Sequence, residues 1–205
     1  MINKCDFLIA ADIAADCTNP SVAGVRNTGY IYNYDDIDWD KVSRDAQNPN
    51  IIHNLPLVTG KKGYRIYIPG NTPFTGTNTA FVAGTFSNKY TKHIAFVVLD
   101  NGAEVCHDII DQLKNGQFVI VFENKFKGHN GDNAFEIYGF EQGLAQTAGT
   151  NDKYSEDTDG GWSIEMEETN APTAGIFLVA NVSGDGSPMT ATRALLEGTL
   201  TAALS

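Results

Sequence analysis

Cysteine and histidine are the residues that most often supply nucleophiles and metal ligands, and this chain has few of them. Three cysteines and four histidines are spread along the sequence: Cys5, Cys17, Cys106, His53, His93, His107 and His129. Cys106 and His107 are neighbours in a predicted helix, where successive side chains point about 100° apart, so they cannot act as a nucleophile and its base. The motifs G-x-S-x-G, H-E-x-x-H and C-x-x-C are absent. We therefore predict no catalytic residue, no metal site, no cofactor and no enzymatic activity.

Two acidic segments offer the oxygen ligands that divalent cations prefer. The sequence DDIDWD at 35–40 matches the first half of a calcium-binding loop, but Lys41 and Gln47 occupy the positions that need glycine and glutamate. We interpret these carboxylates as flanking a short helical turn. The segment 152–159 carries four further carboxylates and is predicted to be a solvated acidic loop, with an ion site as the alternative.

Aromatic residues are the third candidate for a functional surface. The chain has two tryptophans and eight tyrosines, whose rings can stack on sugars or pack in cores and interfaces. Packing within the protein or between subunits is the favoured interpretation, and a carbohydrate-binding platform is the alternative.

The charge balance excludes several classes of partner. The 205-residue chain has 14 Lys and Arg against 25 Asp and Glu, so its formal net charge is −11. Such acidity disfavours a surface that grips duplex DNA and a surface that binds anionic membranes. With 42% hydrophobic and 19% charged residues, the chain is predicted to be globular instead of disordered. The odd number of cysteines favours a reducing compartment.

The start of the chain does not have the pattern of a secretory signal. Its first 17 residues are mildly apolar, but Asp6, Asp12 and Asp16 interrupt the apolar run that a signal needs. No stretch approaches the roughly 20 apolar residues of a membrane-spanning helix. We expect a protein that is made in the cytoplasm and has no membrane partner.

Most of the chain reads as short strands separated by turn residues. Strands are predicted at 5–10, 29–34, 51–58, 64–68, 93–99, 117–123, 134–140, 162–168 and 175–181. Residues 118–122 are continuously apolar, which predicts burial on both faces, whereas 162–167 alternates strictly. One helix is predicted at 103–115, with an apolar stripe at Val105, Ile109 and Leu113.

These elements predict a single domain spanning 1–205. The expected fold class is mainly β (α+β), a β-sandwich or partial barrel with one packed helix covering a sheet face. Long loops are predicted at about 69–80, 145–161 and 182–190, and we expect neighbouring subunits to order them. From about 191 the chain is predicted to form a C-terminal arm or a terminal helix.

Three segments carry a resemblance to a known family: FENKFKG at 122–128, NAFEIYGFEQGL at 133–144 and SEDTDGGWSIEMEE at 155–168. They follow IDWDKVSRDAQNPNI at 37–51, and the order covers most of 35–178. In the order and the amino-acid sequence of these segments, the chain resembles the tail tube (major tail) structural proteins of phages and prophages of gut anaerobes.

The resemblance implies a tail-tube-like fold whose subunits form sixfold rings. These rings stack into a hollow tube that conducts DNA during ejection, and strands of adjacent subunits join into a barrel around the lumen. The implied partners are other copies of the chain, other tail proteins, and DNA that passes without sequence-specific binding. The implied location is the tail of the virion, after synthesis in the cytoplasm of the bacterial host.

Two sets of residues are candidates for these roles. An acidic lumen would repel phosphates and let DNA slide. The candidate lumen-facing acidic residues are Glu165, Glu167 and Glu168. The candidate contacts between subunits, all in predicted loops or turns, are Phe74, Trp39 and Tyr154.

Three other functions remain as alternatives at this point. A capsid decoration protein or a head–tail connector protein would share the structural role but occupy another place in the virion. A carbohydrate-binding module would use the aromatic residues, and the interrupted start of the chain weighs against that secreted class. An unrecognised hydrolase is disfavoured by the missing nucleophile, metal and phosphate motifs.

Overall fold

The computed structural model describes residues 9, 11–14, 16–128, 131–182 and 186–201. These residues form a mainly β structure with two sheets, which confirms the predicted fold class. The strands are β1 Val25–Asn33, β2 Ile51–Ile52, β3 Tyr64–Tyr67, β4 Asn78–Val82, β5 Lys89–Val98, β6 Phe118–Asn124, β7 Phe135–Tyr138, β8 Ala145–Asn151, β9 Trp162–Ala171 and β10 Ile176–Leu178. The strand predicted at 5–10 lies almost entirely outside the described residues.

The strands form a sandwich of a six-stranded and a four-stranded sheet. The larger sheet has the order β2-β10-β7-β6-β1-β3, and the smaller has the order β4-β5-β9-β8. Neighbouring strands are antiparallel except for β10 and β2, which are parallel. Over the described residues neither sheet closes on itself, so the sandwich is observed and not the partial barrel.

Strand β6 lies inside the six-stranded sheet and supplies side chains to two separate cores. Val119 and Val121 belong to one apolar cluster, whereas Ile120 and Phe122 belong to the other. Each of these side chains is fully buried. Side chains alternate between the two faces of a strand, so a strand covered on both faces must be apolar throughout. The continuous apolar run predicted this double burial correctly.

The two cores are formed by different pairs of layers. The second one lies between the sheets, where Phe96 and Ile164 of the smaller sheet pack with Phe122 of the larger. The first lies on the opposite face of the six-stranded sheet, where Leu196 packs against Tyr32 and other core residues. The larger sheet is therefore the middle layer of the molecule.

The predicted helix is present as α1, a helical segment composed of Ala103–Val105, Cys106–Ile110 and Asp111–Leu113. Its middle part is a wide π-type turn. Ile110 and Leu113 are buried in the inter-sheet core, but Ile109 is 42% exposed. The predicted stripe assumed 3.6 residues per turn, and the wider turn rotates Ile109 away from the core.

The predicted C-terminal arm is helix α2, Pro188–Gly198, and it packs on its own subunit. Pro188 occupies the first turn, where a missing N–H costs nothing. Leu196 is fully buried. Helix α2 thus covers the face of the six-stranded sheet opposite the smaller sheet.

Two strands were missed from the sequence, and others are shorter than predicted. Strand β4 lies partly within the loop predicted at 69–80, and β8 lies within the loop predicted at 145–161. The strand predicted at 51–58 is reduced to β2, and the one at 175–181 is reduced to β10. In the residues that the structure describes, no helix has the length and apolar character to cross a membrane.

Candidate assembly surfaces

Strand β9 separates the three candidate lumen glutamates onto two faces. Ile164, Met166 and Glu168 are buried, whereas Glu165 is exposed and Glu167 is partly exposed. The expectation that Glu168 faces a lumen is therefore wrong, because its carboxylate lies inside the sandwich. Glu165 and Glu167 remain together on the outer face of the four-stranded sheet.

The outer face of the four-stranded sheet is polar and lined with small side chains. Cross-strand pairing places His93 beside Glu167 on one side and Asn78 on the other. His93 Nε2 lies 3.5 Å from Glu165 Oε2. The pairing register puts the following further residues on this face: Ala80, Val82, Lys89, Thr91, Ala95, Val97, Ala145, Ala148, Thr150 and Ser163. This face could border water or a passing polyanion without presenting a large apolar patch.

The two edges of this sheet are bare. Strand β4 is exposed along its whole length, and five of the seven residues of β8 are exposed. Neither strand has a neighbour on its outer side within the described part of the chain. An unpaired strand edge presents free N–H and C=O groups that can pair with another chain. Neither β4 nor β8 contains a proline or a charged residue, two of the devices that block such pairing, although the register of β8 shifts between Gln146 and Ala148.

The hairpin of β4 and β5 carries exposed apolar residues. Phe81 and Val82 are 61% and 42% exposed, and Phe86 in the turn is fully exposed. Phe81 contacts only the ring of Tyr90 among the described aromatic pairs, at 6.2 Å between centroids. No element was predicted from the sequence between the loop at 69–80 and the strand at 93–99, so this feature was not identified there.

The three candidate contact residues have different environments. Phe74 is 3% exposed and its ring lies 4.3 Å from that of Phe122, so the expectation that it contacts another subunit is wrong. Trp39 is partly buried, and its Nε1 donates a 3.1 Å hydrogen bond to the carbonyl of Tyr34. Tyr154 is 95% exposed and remains available for a partner.

The acidic segments do not assemble an ion site in the described residues. There, no three His, Cys, Asp or Glu side chains come together to hold a metal ion. Asp36 lies 2.9 Å from Lys61, and Asp38 lies 2.7 Å from Lys41. Asp36 ends one short 3₁₀ turn and Asp38 directly precedes the next, so these carboxylates flank short helical turns as interpreted from the sequence. In the loop at 152–159, Asp152 accepts a hydrogen bond from the backbone of Tyr154, and Asp159 has a φ of 51°.

The three histidines in the described part of the chain contact backbone carbonyls or carboxylates. Nδ1 of His53 lies 2.8 Å from the carbonyl of Val179, and Nδ1 of His93 lies 3.0 Å from that of Gly76. Exposed His107 contacts Asp108 at 2.6 Å, which raises the pKa of its imidazole. His129 lies outside the described residues. None of these contacts assembles a nucleophile with a base.

A shallow basic cavity opens where β1 begins and β6 ends. Its volume is about 320 Å³, and Arg26 and Lys125 are among its lining residues. Lys125 Nζ already donates a 2.6 Å hydrogen bond to the carbonyl of Asn71. Glu123 beside it is an ion-pair partner of Arg26 at 3.2 Å and Arg193 at 2.9 Å. The cationic side chains around this cavity are therefore largely occupied by contacts within the subunit.

The interior of the sandwich contains a polar cluster that sequence reasoning did not predict. Lys92 on β5 and Glu168 on β9 are directly opposite each other, and both are fully or almost fully buried. Glu136 on β7 is partly buried in the facing sheet, and burial raises the pKa of its carboxyl. The strict alternation of β9 could have revealed this cluster, because it places Glu168 on the face of Ile164 and Met166.

Comparisons of the chain with protein-family models, with curated proteins and with solved structures gave no match. The strand edges, the sheet face and the exposed loops described above are therefore the features from which a function can be inferred.

Proposed function

We propose that this chain is a virion structural protein that assembles into rings, and that the rings stack into the hollow tail tube of a phage. The observation that carries the proposal is the four-stranded sheet with its two bare edges, β4 and β8. Bare edges of this kind favour pairing between chains. A ring of identical copies satisfies both edges at once.

The strand directions are compatible with such a ring. Each neighbouring pair in the order β4-β5-β9-β8 is antiparallel, so β4 and β8 run in opposite directions. When β8 of one copy meets β4 of the next around a rotation axis, the new pair is also antiparallel. Every junction then has the same geometry, and a closed barrel without edges results. Sixfold symmetry is the expectation taken from the resemblance to tail tube proteins.

The outer face of the same sheet suits the lining of a DNA channel. Glu165 and Glu167 project from it among small and polar side chains. Negative charge on this face would repel the phosphate backbone, so DNA would pass without being bound. DNA would therefore pass through the tube without sequence-specific contacts and without strong electrostatic binding.

Exposed aromatic residues at the edge of the sheet and in the loops suit contacts between rings and with other tail proteins. Phe81, Phe86 and Tyr154 place large aromatic rings on the surface. Aromatic residues are enriched in protein interfaces, whereas isolated subunits rarely benefit from exposing them. On this proposal the protein is located in the virion tail after synthesis in the bacterial host.

Electron microscopy of the purified chain, together with sedimentation, tests the proposal. We expect rings or stacked tubes, and we expect Thr79→Lys on β4 or Ala148→Lys on β8 to reduce assembly, because charged edges oppose strand pairing. Asn115→Lys adds the same charge at an exposed position after α1 and should leave assembly intact. A monomer at all concentrations would refute the proposal, and trimers would favour a capsid decoration protein.

A further inference from the structure

The side chains of Lys92 and Glu168 form an unusual pair of buried charges. They lie on adjacent strands at directly opposed positions, with exposed fractions of 1% and 0%. Nζ of Lys92 lies 3.5 Å from Oε2 of Glu168. Burying an ammonium and a carboxylate is strongly unfavourable unless hydrogen bonds satisfy both groups.

The carboxylate of Glu168 accepts three backbone hydrogen bonds from the turn at 139–142 that follows β7. Its Oε1 accepts hydrogen bonds from the amides of Glu141 and Gln142, at 2.8 Å and 2.9 Å. Its Oε2 accepts one from the amide of Gly139 at 3.1 Å. These donors converge on one carboxyl group, in the way that donors in an oxyanion hole do.

The ammonium of Lys92 is not satisfied. Its Nζ is buried and has no hydrogen-bond partner among the described residues. A buried ammonium without hydrogen bonds is energetically costly, because the water that would solvate it has been removed. An unpartnered nitrogen next to a polarised carboxyl group is also the arrangement from which an amide can form.

A second carboxyl group faces the same region of the interior. Glu136 lies on β7, where the side chains of Ile137 and Phe135 point into the other core. Burial raises the pKa of Glu136, and the charge of Lys92 acts on the same pKa in the opposite direction. Glu136 can therefore hold a proton under conditions in which an exposed glutamate has lost it.

We propose that Lys92 and Glu168 condense to form an intramolecular amide bond that links β5 to β9. A proton first moves from the ammonium of Lys92 to Oε2, which leaves a neutral amine and a neutral acid. The lone pair of Nζ then attacks the carboxyl carbon, and the bond from that carbon to Oε2 breaks. A second proton passes from nitrogen to Oε2, which departs as water.

The geometry assigns separate roles to the two carboxyl oxygens. Oε1, which has two amide donors, carries the negative charge of the tetrahedral intermediate and becomes the oxygen of the new amide. Oε2, which has one amide donor and lies near Nζ, is the leaving oxygen. Glu136 is the candidate carrier of the second proton. No oxidant, metal or other reactant is needed, since both protons come from Lys92.

The proposal does not depend on the assembly function. The bond would replace two buried charges with a neutral amide and would fix the central strands of the four-stranded sheet covalently. It would also remove the unsatisfied ammonium, which is otherwise costly to leave buried.

Mass spectrometry of the denatured full-length chain tests the proposal. We expect a mass that is lower than the sequence mass by one water molecule, and a proteolytic product in which the peptides containing Lys92 and Glu168 are joined. Lys92→Arg keeps the positive charge but cannot form this amide, so it should have the full sequence mass. Glu136→Gln should slow the loss of water by about 10²-fold, the usual contribution of an acid–base group.

A control separates this bond from another source of dehydration. Asp-Gly sequences, such as Asp159-Gly160, can lose water by closing a ring on their own backbone. That reaction does not join two peptides and would persist in the Lys92→Arg variant. A wild-type chain that is folded by circular dichroism but has the full sequence mass, after purification and prolonged incubation, would overturn the proposal.

Discussion

The hydroxyl of Tyr30 on β1 donates a 2.7 Å hydrogen bond to Oε1 of Glu197 on helix α2. A second tyrosine of the same strand repeats the connection, since the hydroxyl oxygen of Tyr32 lies 2.9 Å from Oγ1 of Thr199. Arg65 of β3 also contacts the carboxylate of Glu197. Burial together with the hydrogen bond to Glu197 raises the pKa of Tyr30, so its hydroxyl stays protonated as a donor. These contacts make the C-terminal helix an integral part of the subunit and not a free arm.

Replacing Leu196 with alanine should therefore destabilise the whole subunit. Leu196 is fully buried against the six-stranded sheet, and leucine-to-alanine substitutions at such positions cost about 3 kcal/mol. Chemical denaturation measures the change in the free energy of unfolding. Leu99→Ala is the matched control, because Leu99 is 45% exposed and should cost much less. Equal losses in the two variants would show that α2 is not docked as described.

Two glycines near α2 should respond to alanine in opposite directions. A Cβ at Gly63 would collide with the ring of Tyr32, whose side chain has no room to retreat because it is fully buried. We expect Gly63→Ala to lower the melting temperature clearly. At Gly198 a Cβ meets open space in the helix, so alanine should stabilise the protein by about 0.5 kcal/mol. Thermal unfolding of both variants checks the pair.

The sequence predicted those strands that have a buried face. The apolar run of β6 and the alternation of β9 each produce a recognisable pattern, because the core selects the residues. Strands β4 and β8 produce no such pattern, since the sequences NTAFV and AQTAGTN are largely exposed. These two strands form by pairing with the strands that follow them, β5 and β9, so their presence depends on those neighbours and not on burial of their own side chains.

The candidate residues were predicted less well than the strands, for two different reasons. Phe74 lies in a Gly, Pro and Thr-rich segment, where no periodicity shows that the ring points into the core. Glu168 was placed with its acidic neighbours, although the period of two along β9 assigns it to the opposite face. Its burial is possible only because backbone amides from 139–142 come within reach after folding.

Alanine substitutions at Phe74 and Tyr154 should distinguish a residue that stabilises the subunit from one that supports assembly. Phe74→Ala removes a ring packed against Phe122 and should cost about 3–5 kcal/mol in the free energy of unfolding. Tyr154→Ala changes a side chain that is almost fully exposed, so the stability of the isolated subunit should stay within about 0.5 kcal/mol. On the proposed function, Tyr154→Ala should weaken ring or tube formation measured by sedimentation. A large loss of subunit stability in Tyr154→Ala would contradict its placement.

Glu136 should make stability depend on pH in a defined direction. Burial raises its pKa above the ordinary value of 4.5, while contacts with Asn124 and Lys92 oppose the shift. The folded state therefore keeps its proton at a pH where the unfolded chain has lost it. The contribution of Glu136 to the free energy of unfolding is therefore fully present below about pH 4.5. It declines as the pH rises through the raised pKa.

Glu136→Gln removes this ionisation and keeps an acceptor for Asn124, whose amide donates to Glu136 at 3.3 Å. The free energy of unfolding, measured from pH 4 upward, should fall less with increasing pH in the variant than in the wild type. Glu104→Gln is the matched control at an exposed position of α1 and should not flatten the profile. A difference in the free energy of unfolding, wild type minus variant, that does not decrease as the pH rises would be inconsistent with the assigned shift.

The two outward glutamates of β9 offer the most direct test of a DNA-conducting lumen. Replacing Glu165 and Glu167 by lysine exchanges negative for positive charge on the face proposed to line the tube. Subunit stability should change little, because both side chains are at least partly exposed, and tubes should still form. Lysines on this face would attract phosphates and release counterions, so linear duplex DNA should be retained and its ejection from particles slowed.

Co-sedimentation of assembled tubes with DNA measures this retention, and added salt should reverse it, as expected for phosphate contacts. The double variant Glu165→Gln and Glu167→Gln removes the negative charge without adding positive charge. It should retain much less DNA than the lysine variant, which separates attraction from the mere loss of repulsion. Tubes of the lysine variant that bind no more DNA than wild-type tubes would show that this face of the four-stranded sheet points away from the lumen.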